Sequence, residues 1–328
     1  MRTIKHNLPH FLSIFAFLLI TGVTTMGQDS TATEPVTDTT APAPKKPKPV
    51  KNTWGGIWLI DNQTTLVPVK GTLEFDISHR FGTVTNGYED FWGFFANSNI
   101  RLGANYVFMD RLNVGIGITK FNVLWDVNAK YAIITQTPEL YPVSVSYYFN
   151  AAIDTRKDPV IYDGSPINHF SDRMVFFNQV LIARKINEKL SVQVAPSLSH
   201  QNAVSGYYTK NDSTGTDIYG SMKHNHFAVA VSARYVLTPV TSIIVNYDQP
   251  LTTHPEYNPN PNISFGFEFN TSNHSFQLFA GNYSSLSPQR NNLYNNSSPF
   301  GYTDNVTGEK VKGGQFRIGF NITRLWNY

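Results

Sequence analysis

Gly71–Gly82 reads GTLEFDISHRFG. From Thr72 to Phe81 every second residue is large and apolar apart from one histidine: Leu73, Phe75, Ile77, His79 and Phe81. Between them stand Thr72, Glu74, Asp76, Ser78 and Arg80. The side chains of an extended strand alternate between two faces, so one face here is apolar and the other charged. A helix would mix the two sets.

The same alternation returns to the C-terminus. Asn99–Phe108 sets Ile100, Leu102, Ala104, Tyr106 and Phe108 against Asn99, Arg101, Gly103 and Asn105. Further strands are expected over Leu112–Thr119, Trp125–Thr135, Pro142–Ile153, Arg173–Arg184, Leu190–His200, Phe227–Leu237, Thr241–Gln249, Ile263–Asn270, His274–Tyr283 and Gly314–Thr323. The facing of Arg173–Arg184 is ambiguous, because Val175, Phe176 and Phe177 are consecutive. Pro196 interrupts Leu190–His200 and predicts a bulge or early fraying, since proline has no ladder donor. The sum is about twelve strands, an even number, as bacterial outer-membrane barrels have.

The connections alternate too. MDR (109–111), QTPEL (136–140), Lys185–Lys189, Thr238–Val240 and Thr271–Asn273 are short. Thr83–Ser98, Asp154–Asp172, Gln201–His226, Pro250–Asn262 and Ser284–Gly313 are long, and Lys120–Leu124 is the exception. Short periplasmic turns and long outer loops put both termini in the periplasm. The rival is a soluble β-sandwich or barrel with the apolar face as its core. Against it stand the tall aromatic-ended face, the leader described below and the terminal WNY. Trp326 and Tyr328 share parity with Phe316, Ile318, Phe320 and Ile322, as in a signal for the barrel-insertion machinery, although Arg324 breaks the run. The fold class is therefore all-β: an antiparallel up-and-down transmembrane β-barrel in the bacterial outer membrane, against outer-membrane lipid.

Composition agrees. Aromatic residues make up 14% of the 328 and charged residues only 15%, with no cysteine. The last point excludes disulfides, thiolate metal sites and a lipidated cysteine. There are 26 Lys and Arg against 23 Asp and Glu, and Arg2 and Lys5 lie in the leader. The body is close to neutral, with no electrostatic case for nucleic acid.

Residues 1–27 read as a signal peptide: Arg2 and Lys5, then the apolar Phe11–Val23, then small residues before Gln28. Residues 28–53, rich in Thr, Pro and Lys, bury almost nothing and predict a disordered linker. Residues 54–328 form the barrel. Within them Trp54–Lys70 is apolar but irregular, and three placements stay open: in the wall, across the periplasmic mouth, or inside the lumen.

GTLEFDISHRFG, NIRLGANYVFMDRLNVGIGI and NAKYAIITQ together resemble an uncharacterised family of membrane-bound β-barrel proteins of Gram-negative bacteria, a domain of unknown function. The likeness runs from about Thr64 to Tyr328. It is most specific at His79-Arg80-Phe81-Gly82 and at Leu102-Gly103 with the Asp110-Arg111-Leu112 turn. It implies an outer-membrane barrel and carries no activity with it.

The polar faces bear the candidate site: Glu74, Asp76, Arg80, Arg101, Asp126, Lys130, Arg234 and Arg317, joined by Asp248 and Glu268. Glu74, Asp76, Arg80, Arg101 and Lys130 lie on early neighbouring strands and are expected to meet as one cluster in the lumen. Mixed charges across a narrow interior either form a stiffening ion-pair network or line a small aqueous path. No ring of one sign suggests a selectivity filter. Side-chain size decides between the two: Gly103, Gly115, Gly117, Gly266 and Gly319 leave space, and Arg80, Arg101, Arg234 and Arg317 take it back.

Other candidates are weaker. His79 falls on the lipid face, where an interfacial hydrogen bond is expected. It and Ser199-His200 lack an orienting acid or a G-x-S-x-G motif, so no enzyme is expected. His224-x-His226 puts two imidazoles on one face, but two ligands do not close a metal site, and a solvated loop is expected. Asn291–Ser298 (NNLYNNSS) suggests a flexible loop. The loop aromatics Tyr88, Trp92, Phe94, Phe95, Tyr207 and Tyr208 suit rim anchoring, or binding of a glycan or protein. No metal or cofactor is expected. The reading is a barrel of unknown specific role that passes or binds a small polar solute through its lumen. The alternatives are a non-conducting scaffold or surface-binding barrel with a plugged lumen and, third, a barrel hydrolase.

Overall fold

The structure is a computed structural model that describes residues 47–161, 166–211, 213–254, 258–303 and 310–327. The expected signal peptide, most of the expected linker and Tyr328 lie outside the described residues.

Twelve antiparallel strands follow one another around a closed barrel. They are β1 (Thr72–Thr83), β2 (Asn99–Met109), β3 (Leu112–Thr119), β4 (Leu124–Ile134), β5 (Ser144–Asp154), β6 (Met174–Lys185), β7 (Leu190–Gln201), β8 (Asn225–Val236), β9 (Thr241–Pro250), β10 (Asn262–Asn270), β11 (His274–Gly281) and β12 (Arg317–Asn327). Each pairs with the next, and β12 closes on β1 with Ile322 opposite Ile77 and Trp326 opposite Leu73. β12 starts three residues later than the alternation predicts and runs on past Arg324, whose guanidinium lies 4.9 Å from the Trp326 ring. The short links gather at the end that holds the termini.

Exposure settles which face is which. Phe265 and Leu278 are 51% and 53% exposed on the outer face, while Asp76 and Glu268 inside are 1% and 0% exposed. Bare apolar side chains outside and buried charges inside reverse the arrangement of a water-soluble protein. Among the described residues no helix is long and apolar enough to cross a membrane; the strands do it. Hydrocarbon offers backbone groups no partner, so the sheet must have no free edge.

β6 resolves its ambiguity by being apolar on both faces. Phe177, Leu181 and Ala183 point inward and Val180 outward. Phe177 and Leu181 pack with Tyr148, Ala195 and Ala230 as an inner apolar patch. The expected bulge at Pro196 does not form. Pro196 lies opposite Val229, and the β6–β7 register is the same on both sides of it, Gln179 with Ser197 and Ile182 with Val194. The sheet carries the missing donor without shifting register.

Trp54–Leu66 takes the third of its open placements. Trp58–Leu59 and Asn62–Gln63 form a short hairpin, and Trp54, Ile57, Leu59 and Ile60 are buried in the lumen. The chain arrives along the termini end, where the Val50 N–H donates to the Gln136 carbonyl (2.8 Å). At the far end a short helix, α1 (Pro288–Tyr294), folds into the mouth with Gln289, Asn291, Asn292 and Leu293 buried. Asn291–Ser298 is therefore partly helical and packed, not the loose loop expected.

Each of the lumenal glycines is met by a neighbouring group. A Cβ on Gly117 would lie 2.2 Å from the Arg101 guanidinium, and one on Gly319 would lie 2.8 Å from Arg80 Cδ. Arginines stand in the room beside Gly103, Gly117 and Gly319, Asn105 and Asn128 in that beside Gly115, and Phe279 in that beside Gly266. Gly117→Val is expected to destabilise the barrel by about 1–3 kcal/mol through overpacking, read as a lower temperature for the heat-dependent gel-mobility shift. Ile116→Val, on the exposed outer face, should move it little.

Candidate functional site

The candidate site is the lumen itself. Alternation aims every second residue of each strand inward, so the polar set faces a common interior. Its ten charged members do not form one cluster. The first group centres on Arg101, which bonds Asp76 (2.9 Å) and grips Asp126 through two nitrogens (3.0 and 2.8 Å). Asn105 donates to Asp76 and Asn150 to Asp126. The second centres on Arg80, which pairs with Asp61 at 2.6 Å and donates to the Asn321 side chain at 3.0 Å. Its guanidinium lies 4.3 Å from the Phe279 ring. The third is Arg234 with Glu268 at 2.6 Å. Arg317 stands apart, donating to Ser297 of the last long connection (3.4 Å).

Thus Asp76, Arg101 and Asp126 meet, whereas Arg80, Arg234 and Arg317 take other partners. Lys130 and Glu74 are electrostatic neighbours, yet neither oxygen of Glu74 has a hydrogen-bond partner among the described residues. Lys130 is turned to the hairpin instead.

The hairpin is what ties these groups together. Lys130 donates to Gln63 Oε1 (2.9 Å) and to the Thr64 carbonyl (3.1 Å). Gln193 donates to the Gln63 carbonyl, Ser146 to the Thr65 carbonyl and Gln277 to the Trp58 carbonyl. Asn62 donates to Asp248 at 2.7 Å. Ile60 has φ +58°, a left-handed conformation that a β-branched residue rarely adopts. Wall side chains hold both of its backbone groups: its N–H donates to Gln277 Oε1 (3.0 Å) and its carbonyl accepts from Asn321 (2.6 Å). Beside this polar grip, Trp54, Leu59 and Ile60 pack on Ala183, Ile244 and Phe279.

Sequence reasoning missed the hairpin's Asp61, Asn62, Gln63 and Thr64. Their stretch has no period, and each makes sense only against a wall residue far away in the chain. Phe279 was also missed. It lies on the inner face, where a Cβ on Gly266 or Gly319 would meet it.

The histidines are placed differently from expectation. His79 stacks on Phe320 (5.0 Å between ring centres) and packs on Phe81 (4.4 Å), and its Nδ1 has no hydrogen-bond partner among the described residues. His200 lies between the side-chain oxygens of Asn225 and Asn202, at 2.8 and 3.1 Å, so amides stand where a hydrolase needs a carboxylate. His224 and His226 do not act together. His224 meets the Gln201 carbonyl (2.8 Å), while His226 is buried against His254, Nε2 to Nε2 at 3.0 Å. The described residues contain no group of three or more potential metal ligands. Tyr88 and Phe95 are fully presented at 80% and 82% exposure, beside Trp92 and Phe91.

Residues 55–326 match the family described as a membrane bound beta barrel domain, DUF5777. The chain belongs to this family of membrane-bound β-barrels of unknown function. It is similar to the NanC porin, at 9% identity over 78% of this chain and 99% of that one, with a TM-score of 0.41. The KdgM porin matches at 10% identity over 77% and 98%, with a TM-score of 0.39. The COG4313 outer membrane channel of Pseudomonas putida F1 matches at 12% identity over 80% and 97%, with a TM-score of 0.42. No curated protein sequence matches the chain.

Two outcomes are expected here. Arg101→Leu strands two buried carboxylates and should cost about 3–5 kcal/mol, measured by thermal unfolding in detergent. Adding Asp76→Asn and Asp126→Asn should recover most of the loss. The second concerns His254, in the connection after β9, whose pKa is pushed below 6.5 by burial and by Lys223. A depressed histidine pKa means that the unfolded form binds more protons, so stability falls as pH drops below about 6.5. The 251–261 connection should be cut faster by protease at pH 5 than at pH 7.5; equal rates would refute this.

Proposed function

We propose that the protein is a bacterial outer-membrane barrel, with both termini in the periplasm, that passes a small polar solute only when its N-terminal hairpin leaves the lumen. The observation that carries this is the hairpin's seat. Much of its hold on the wall consists of hydrogen bonds from wall side chains to its own backbone. Each such bond is exchanged for water at a net cost of about 0.5–1.5 kcal/mol; the Arg80–Asp61 pair and the apolar packing on Ala183, Ile244 and Phe279 add the rest of the hold. Part of the lumenal wall is polar. Glu74, Asn105, Asn113 and Asn128 on β1 to β4 each hold a buried atom without a hydrogen-bond partner among the described residues, and such atoms call for water. The second reading is a non-conducting barrel that works by its outer loops; α1 in the far mouth favours it.

Planar-bilayer recording separates the two. The intact protein should be almost silent. Removing residues 54–66 should produce discrete current steps, larger when residues 286–296 are also removed. Asp61→Asn, which strands Arg80, should raise the frequency of brief openings without any deletion. If the double deletion folds, as judged by gel mobility, and stays silent, the gated reading falls and the scaffold reading stands.

A further inference from the structure

At the end opposite the termini lies a cavity of about 230 Å³ bounded by α1, the Phe121–Val123 turn and the ends of β5, β6 and β7. That is below the roughly 300–1,000 Å³ typical of sites for drug-sized ligands, so its occupant is small. Its charged lining is Asp154, Arg156, Asp172, Arg173 and Arg290. Most of these groups are committed. Arg156 grips both oxygens of Asp154, at 2.6–3.1 Å. Arg173 donates to the Arg156 carbonyl, and Asp172 accepts from the Ser171 hydroxyl.

Two buried donor nitrogens on this lining have no hydrogen-bond partner among the described residues. Arg290, on α1, lies against the rings of Phe121 (5.4 Å) and Tyr294 (5.2 Å). Its Nε is buried without a hydrogen-bond partner among the described residues. Gln201, at the end of β7, is 3% exposed. Its Oε1 accepts from the Tyr294 hydroxyl, and its Nε2 is likewise buried and unpartnered. A buried cation without a paired anion is costly; burial and the nearby Arg156 weaken the hold of Arg290 on its proton, while Tyr294 and Asp154 oppose that effect. Two idle donors on one cavity call for an acceptor with two oxygens, and the guanidinium fork matches a planar carboxylate.

We propose that this cavity binds a small organic carboxylate, held by Arg290 and Gln201, with its carbon skeleton against Phe121. The site stands whether or not the lumen conducts, since it lies beside α1 and away from the hairpin.

Titration calorimetry on the intact protein in detergent tests it with glucuronate, glucose and inorganic phosphate as probes. Glucuronate should bind at least tenfold more tightly than glucose and more tightly than phosphate. Arg290→Gln should weaken glucuronate at least tenfold. Asp154→Asn releases Arg156 as a second cation and should tighten glucuronate several-fold, a gain that misfolding cannot produce. Absence of glucuronate binding, glucose binding equally well, phosphate binding more tightly, or an Asp154→Asn affinity equal to that of the parent would each overturn the proposal.

Discussion

A sheet in hydrocarbon can leave no backbone group unpaired. Here that demand closes β12 onto β1 and so creates an enclosed interior. Everything distinctive about the molecule follows from how this interior is filled. Twelve strands enclose more space than a single layer of their own side chains can fill. The chain supplies the rest from both ends: Trp54–Leu66 through the end that holds the termini and α1 through the other.

Charge inside such a barrel must be compensated. Three arginines meet the demand in three ways. Arg101, on β2, bridges carboxylates of β1 and β4, Arg234 takes one from β10, and Arg80 takes its partner from the hairpin. The first two pairs are formed entirely by wall residues. The Arg80–Asp61 pair and the Lys130 contacts join the wall to the hairpin. The same interior therefore has a network within the wall and one shared with the hairpin.

The far end follows a different logic. There α1 brings Arg290 to a cavity wall whose carboxylates already have partners or accept only a hydroxyl, and Gln201 arrives with its amide half used. The far end of the barrel thus holds buried donor nitrogens on Arg290 and Gln201 that have no hydrogen-bond partner among the described residues.

Period-2 alternation made the strands, their number and the inward set readable from the residues alone, because each strand's facing is a local property. Glu74, Asp76, Arg101 and Asp126 could be assigned to the lumen on that basis. Pro196 and the two-faced β6 misled or stayed open, since neighbouring strands, not local pattern, decide whether a ladder tolerates a missing donor or an apolar inner patch. Which charges pair was not legible. Arg80 with Asp61, Lys130 with Gln63 and Thr64, and His226 with His254 join segments whose separation is set by barrel closure. What fills the space beside the inner glycines was likewise out of reach of the sequence: only their placement in the barrel sets Arg101 beside Gly103 and Gly117, Arg80 beside Gly319, Asn105 beside Gly115 and Phe279 beside Gly266. The strand order was local physics; the plug, the pairings and the far-end cavity are products of closure, which brings distant side chains to one interior.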